Sequence, residues 1–183
     1  KQTMDIREIA GRVIQQMKTL GNETHIDEEC PISIIDMGKW EWAQGVGLYG
    51  LLRYYQETGE GDVLAFLIEW FDRNMAEGLP KKNVNTMCPM LTLSYLYEMT
   101  GNPAYLALCQ EWAEWIMTEM PRTEENGLQH IVSGQANEGQ LWDDTLFMTV
   151  LFLARMGSLL GRQDYLGESV RQFLLHIKYL TDR

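Results

Sequence analysis

The sequence predicts an all-α toroid, in which an inner ring of buried helices is wrapped by an outer ring of amphipathic ones. Three observations carry that prediction. Strand signals are scarce, while helical spacing recurs along the 183 residues. The same pattern of helix, glycine, short turn and helix is used three times. The helices also alternate in kind, one apolar nearly all round and the next with a single apolar stripe.

The first helix is expected over about 4–20, with Thr3 as its N-cap and Gly21 as its stop. The second, about 40–57, carries Gly45, Gly47 and Gly50, which lower helix propensity but let another backbone come close. The third, about 62–76, lines up Leu64, Leu67, Ile68, Phe71 and Met75 on one face. The fourth, about 86–99, holds MCPMLTLSYLY, apolar on every side as a buried helix is. The fifth, about 103–120, repeats the stripe with Tyr105, Leu108, Cys109, Trp112 and Ile116, and Pro103 suits its first turn. The sixth, about 141–160, contains LFMTVLFLA and is again apolar throughout. The seventh, about 163–180, offers Leu166, Val170, Phe173, Leu174 and Ile177.

The second, fourth and sixth helices run into Gly59, Gly101 and Gly161, each followed by a short polar turn and a new helix. That is one αα-hairpin used three times. The connections before the inner helices, about 21–39, 77–85 and 121–140, are longer and hold Gly, Pro, His and acidic residues. Inner helices that all point the same way share one rim, and long loops on one rim are where binding resides.

Composition narrows the function. Lys+Arg 15 against Asp+Glu 26 leaves a formal charge of -11, which repels nucleic acid and anionic membranes and sets both aside as partners. An acidic sugar would need local donors or cations. A hydrophobic fraction of 45%, with six Trp, eight Tyr and five Phe, excludes a disordered chain, and the length fits one domain. Cys30, Cys88 and Cys109 lack CxxC spacing and read as the reduced thiols of an intracellular protein. The N-terminus is amphipathic rather than signal-like, and no apolar run reaches membrane-spanning length. A soluble, cytoplasmic protein is expected. His25 and His176 read as structural or exposed. No set of His, Cys and carboxylate has metal spacing, and GxGxxG, P-loop and GxSxG motifs are missing, so neither metal nor cofactor is expected.

Each inner helix opens with residues a purely structural design would not choose. The second opens WEWAQG, with Trp42 and Gln44; the fourth opens around Asn85 and Thr86; the sixth opens QLWDDT, with Trp142, Asp143 and Asp144, after a loop holding His130. Plainer readings stand beside the functional ones. Acidic residues suit a helix's first turn, which covers Asp143 well. It covers Asp144 less well, because that carboxyl is followed at once by the buried run 145–153 and sits where a general acid would. Asn85 and Thr86 could simply cap the fourth helix. Trp42 and Trp142 could be core or stacking platforms for a sugar ring, and His130 could serve only local hydrogen bonds.

At these residues the sequence resembles glycoside hydrolase family 105, the unsaturated rhamnogalacturonyl hydrolases, related to the unsaturated glucuronyl hydrolases of family 88. The likeness lies in WEWAQGVGLYGLLRYYQETGE, VNTMCPMLTLSYLYEMTGN and GLQHIVSGQANEGQLWDDTLFMTVLFLARMG, in the family's order, and covers the chain from about Trp40 onward. The resemblance implies an (α/α)6 barrel that removes a 4,5-unsaturated uronic acid from the non-reducing end of pectin-lyase products. In that reaction an aspartic acid protonates the C4=C5 vinyl ether, water adds at C5, and the hemiketal opens. It implies Asp144 as the acid and then base, Trp142 as the tryptophan of the W-x-D segment, and His130 as a pocket-lining histidine. Trp42 and Gln44 match the aromatic and polar residues of the corresponding inner helix, with Asp143 as a further substrate contact.

Two departures matter. Some members have an aspartate where this chain has Asn85, which can orient substrate or water but cannot take a proton. Members also run to roughly twice this length. The 183 residues are therefore expected to be one partial barrel cut on its C-terminal side, its open edges covered by a missing half, a second chain or a copy of itself. Other readings are a non-catalytic carbohydrate-binding toroid, an epimerase or inverting hydrolase of the same fold, and a helical-repeat interaction protein.

Overall fold

The computed structural model describes residues 5–21 and 35–181; Thr3, His25 and Cys30 lie outside them. Among the described residues the chain forms α1 (Ile6–Lys18), α2 (Trp42–Thr58), α3 (Gly61–Glu77), α4 (Val84–Thr100), α5 (Pro103–Thr118), α6 (Leu151–Leu160) and α7 (Gln163–Leu180). A π-helical turn, Leu146–Val150, leads into α6. Strand-like pairing among them is confined to isolated bridges, Arg122 with Leu128 and Val132 with Gln135.

The three hairpins form as their glycines require. Gly59, Gly101 and Gly161 cap α2, α4 and α6 with φ of 71°, 67° and 67°, a left-handed backbone that a side chain would strain. Asn102 caps α5, its side chain accepting from the Ala104 N–H, with Pro103 at the first position. α1 is capped by Asp5, whose side chain accepts from the Arg7 N–H.

α2, α4 and α6 pack side by side as the inner layer, and α3, α5 and α7 each fold back on the inner helix before them. α4 is the centre of the arc, with every residue from Val84 to Ser94 buried. Gly45 is where α2 and α4 touch: a Cβ there would lie 2.6 Å from Cys88 Sγ and 2.7 Å from the Cys88 carbonyl carbon. Gly47 meets the Met17 sulfur of α1, whereas Gly50 faces open space and makes no close approach. α3 and α5 bury the stripes expected of them, with Leu67, Phe71, Tyr105, Cys109, Trp112 and Ile116 in the core.

The edges of the arc differ from expectation. α6 buries Phe152, Leu153 and Met156 but exposes Leu151, because no further inner helix lies beside it. α7 packs through Tyr165, Ser169, Gln172 and His176 instead of its apolar stripe. Val170, Phe173, Leu174 and Ile177 consequently face outward, with 45–59% of each exposed. At the other edge α1 turns Ile6, Ile9 and Val13 outward, and α2 exposes Val46. No helix among the described residues is long and apolar enough to cross a membrane.

Candidate active site

The rim is assembled from three helix starts. At α2, Glu41 is the N-cap in an extended conformation (φ -150°, ψ 176°), and its carboxyl accepts the Trp42 N–H at 2.5 Å. Trp40 turns inward, stacked on Trp70 with centroids 5.2 Å apart. Its Nε1 donates to the Thr86 carbonyl at 2.7 Å, tying the start of α2 to the first turn of α4. At α4, Asn83 and Thr86 form a capping box, each side chain accepting the other's backbone N–H. Asn83 Nδ2 also donates to Ser133 Oγ at 3.1 Å, and the Val84 N–H to the Ile131 carbonyl at 2.9 Å. The loop before α6 is thereby fastened to α4.

That loop presents His130. Its N–H donates to the Gln140 carbonyl and its carbonyl accepts from Asn137 Nδ2, so the ring sits on a pinned backbone. The ring is buried and stacks on Trp142, with centroids 4.3 Å apart and planes 4° from parallel. His130 Nδ1 lies 3.2 Å from Asp144 Oδ1 and 3.2 Å from Thr145 Oγ1. The Thr145 contact has hydrogen-bond geometry. The Asp144 contact is an ion-pair approach only, and it leaves Oδ1 buried without a hydrogen bond.

Asp144 is less enclosed than the apolar run after it implies. It stands at the mouth of the helix with 37% of its side chain exposed, all of it away from Oδ1. The π turn Leu146–Val150 begins two residues later, a distortion found most often at functional sites. Trp42 and Trp142 are 36% and 44% exposed, leaving part of each ring open for stacking. Gln44, by contrast, is buried and donates from Nε2 to the Asp36 carbonyl, which braces the chain before α2. Asp143 is exposed, and its carbonyl accepts the Leu146 N–H.

The structure thus joins His130, Trp142 and Asp144 directly, and places Asn85 beside Glu41 at the α2–α4 contact. Cys88 lies between the two groups. Burial pushes its thiol up, and the charges of Glu41 and Asp144 add to that, both disfavouring the thiolate. Glu41 is the site residue that sequence reasoning missed. Burial pushes its carboxyl above the ordinary range, against the lowering effects of the Trp42 N–H and the Asn85 amide. The signal for it was a carboxylate enclosed by two tryptophans in WEW.

Solved structures share this architecture. The protein is similar to a possible member of the GH105 family from Klebsiella pneumoniae, at 43% identity and a TM-score of 0.89, covering 100% of this chain and 50% of that one. A possible GH105 member from Salmonella enterica serovar Paratyphi A matches at 44% identity and the same TM-score, with 51% of its chain covered. Among curated proteins, the unsaturated rhamnogalacturonyl hydrolase YesR of Bacillus subtilis is 34% identical over 167 residues, 85% of this chain and 48% of that protein. The chain spans about half the length of the relatives it matches, and the arc is half of an (α/α)6 toroid. Residues 9–183 fit the profile of Glycosyl Hydrolase Family 88, and the chain belongs to that family.

Proposed function

We propose that the complete protein hydrolyses a 4,5-unsaturated uronic acid from the non-reducing end of pectin or rhamnogalacturonan lyase products, in the cytoplasm. The observation that carries this reading is Asp144, with one oxygen held against His130 and the rest of the side chain facing the rim, beside the exposed face of Trp142. Asp144 gives its proton to C4 of the vinyl ether. Water then adds at C5, returning a proton to the carboxylate, and the hemiketal opens to release the neighbouring sugar. His130 orients the carboxyl, Trp142 and Trp42 offer stacking surfaces, and Asn85 positions substrate or water. Gln44 serves by holding the start of α2, and Asp143 meets the sugar from the exposed side of the turn.

The exposed stripes of α1 and α7, together with relatives of twice the length, support a second half of the barrel that closes over both edges. The test is Asp144→Asn in the full-length enzyme, following loss of the conjugated C4=C5 absorbance with galacturonyl and glucuronyl lyase products. Turnover should fall by ~10³-fold or more. Retained activity removes Asp144 from the mechanism. A wild-type enzyme that binds these sugars without consuming the double bond would make the toroid a carbohydrate-binding module instead.

A further inference from the structure

Thr145 follows Asp144 directly, and the reaction above gives it no part. It is wholly buried at the entry to the π turn. Hydroxyls elsewhere in these helices donate to their own backbone: Thr58 to the Tyr54 carbonyl, Thr100 to Leu96, Thr118 to Glu114 and Ser169 to Tyr165. Thr145 does not. Among the described residues the partner of its hydroxyl is His130 Nδ1, at 3.2 Å and with hydrogen-bond geometry. A buried hydroxyl whose hydrogen meets no acceptor is costly. Asp144 Oδ1 also approaches Nδ1 to 3.2 Å, but without hydrogen-bond geometry, and this oxygen accepts from no described group.

Two neighbours therefore compete for one ring nitrogen. A neutral imidazole carries its proton on one nitrogen and a lone pair on the other, and the bond made at one decides what the other can do. The Asp144 carboxyl would draw the proton to Nδ1, whereas the Thr145 hydroxyl needs Nδ1 as an acceptor. The direction of the ring nitrogen favours the hydroxyl. We propose that Thr145 is a positioning residue of this site: its O–H donates to His130 Nδ1 and so fixes the ring proton on Nε2. Turning the ring over would set a carbon against the hydroxyl, so the same contact also selects which edge faces inward. Nε2 has no hydrogen-bond partner among the described residues, yet it is not sealed in as the Nε2 of His176 is. His130 thus offers one N–H at the edge of the ring stacked on Trp142. The inference rests on the proposed function in one respect, that an oxygen of an unsaturated uronide accepts that N–H.

The test uses the full-length protein and the variants T145V and T145S. Valine keeps the shape and loses the hydroxyl, while serine keeps the hydroxyl. Nitrogen-15 NMR of the imidazole in mildly alkaline buffer, with the His130 signals assigned by their loss in H130N, reads the tautomer without substrate. Wild type and T145S should show Nδ1 bare and Nε2 protonated. T145V should move toward the opposite form, because Asp144 then draws the proton to Nδ1 unopposed. The kcat/KM for an unsaturated uronide should fall about tenfold in T145V and by no more than about threefold in T145S. A wild-type ring protonated on Nδ1, the same tautomer in T145V as in wild type, or an unchanged kcat/KM in T145V would each overturn the proposal. Should T145V fail to fold, the wild-type tautomer still decides it. If the wild type consumes no unsaturated uronide, the functional reading fails, while the NMR comparison still tells whether Thr145 governs the ring.

Discussion

His130 and Trp142 are stacked 4.3 Å apart, and that contact does two jobs: it keeps Trp142 flat against the rim and it steadies the imidazole that meets Asp144. If Trp142 is the stacking platform proposed above, Trp142→Ala should remove it while leaving Asp144 in place. The expected outcome is a KM raised roughly tenfold with a smaller loss in kcat, read from steady-state kinetics of the full-length enzyme. That Trp142, Asp144 and His130 lie together was legible in the sequence, because their types are unusual at a helix start and in the loop before it. Glu41 was not, because a lone glutamate is usually solvated, and its place between two tryptophans is a weak sign of the enclosure that the packing of α2 on α4 produces. Gln44 was read as a substrate contact, and the structure buries it with Nε2 donating to the Asp36 carbonyl. Spacing alone cannot say whether a polar side chain near a helix start faces the cavity or the chain behind it.

At the level of the helices, Gly45 and Gly50 make a matched pair of tests. Alanine at 45 would press a methyl against the Cys88 backbone, which cannot swing aside, so the clash outweighs the gain in helix propensity. Gly45→Ala should destabilise by ~1–3 kcal/mol in a denaturant titration. Gly50→Ala meets nothing within 4 Å and should stabilise by ~0.5–1 kcal/mol in the same assay. A third test concerns the tie between the loop before α6 and α7. Glu168 is held there by Arg171, Arg122 and Gln172, which together bring its pKa down to about 2 in spite of partial burial. A lowered folded-state pKa means stability present above about 4.5 and lost as pH falls through about 2. Glu168→Gln should cost on the order of 1–2 kcal/mol near neutral pH, and the difference from wild type should vanish toward pH 2. Helix existence and glycine caps were legible because they are local properties. The π turn was not, since LFMTV carries no residue type that demands it, and the orientation of α7 was set by what α6 offered rather than by its own stripe.

On the scale of the molecule, the apolar stripes of α1 and α7 are the largest departure from an ordinary surface. If the second half of the barrel covers them, residues 1–183 made alone should self-associate. Phe173→Glu with Leu174→Glu should then return that half-length chain to a monomer by sedimentation, while lowering the melting temperature of the full-length protein by several degrees. A half-length chain that is monomeric without these changes would count against coverage. One consequence reaches back to the glycine turns. Because Gly59, Gly101 and Gly161 each reverse the chain within a few residues, α2, α4 and α6 run parallel, and their peptide units add rather than cancel. Every inner helix therefore delivers about half a positive elementary charge to the same mouth. In a protein of formal charge -11, the backbone itself thus builds a local electropositive focus that owes nothing to lysine or arginine.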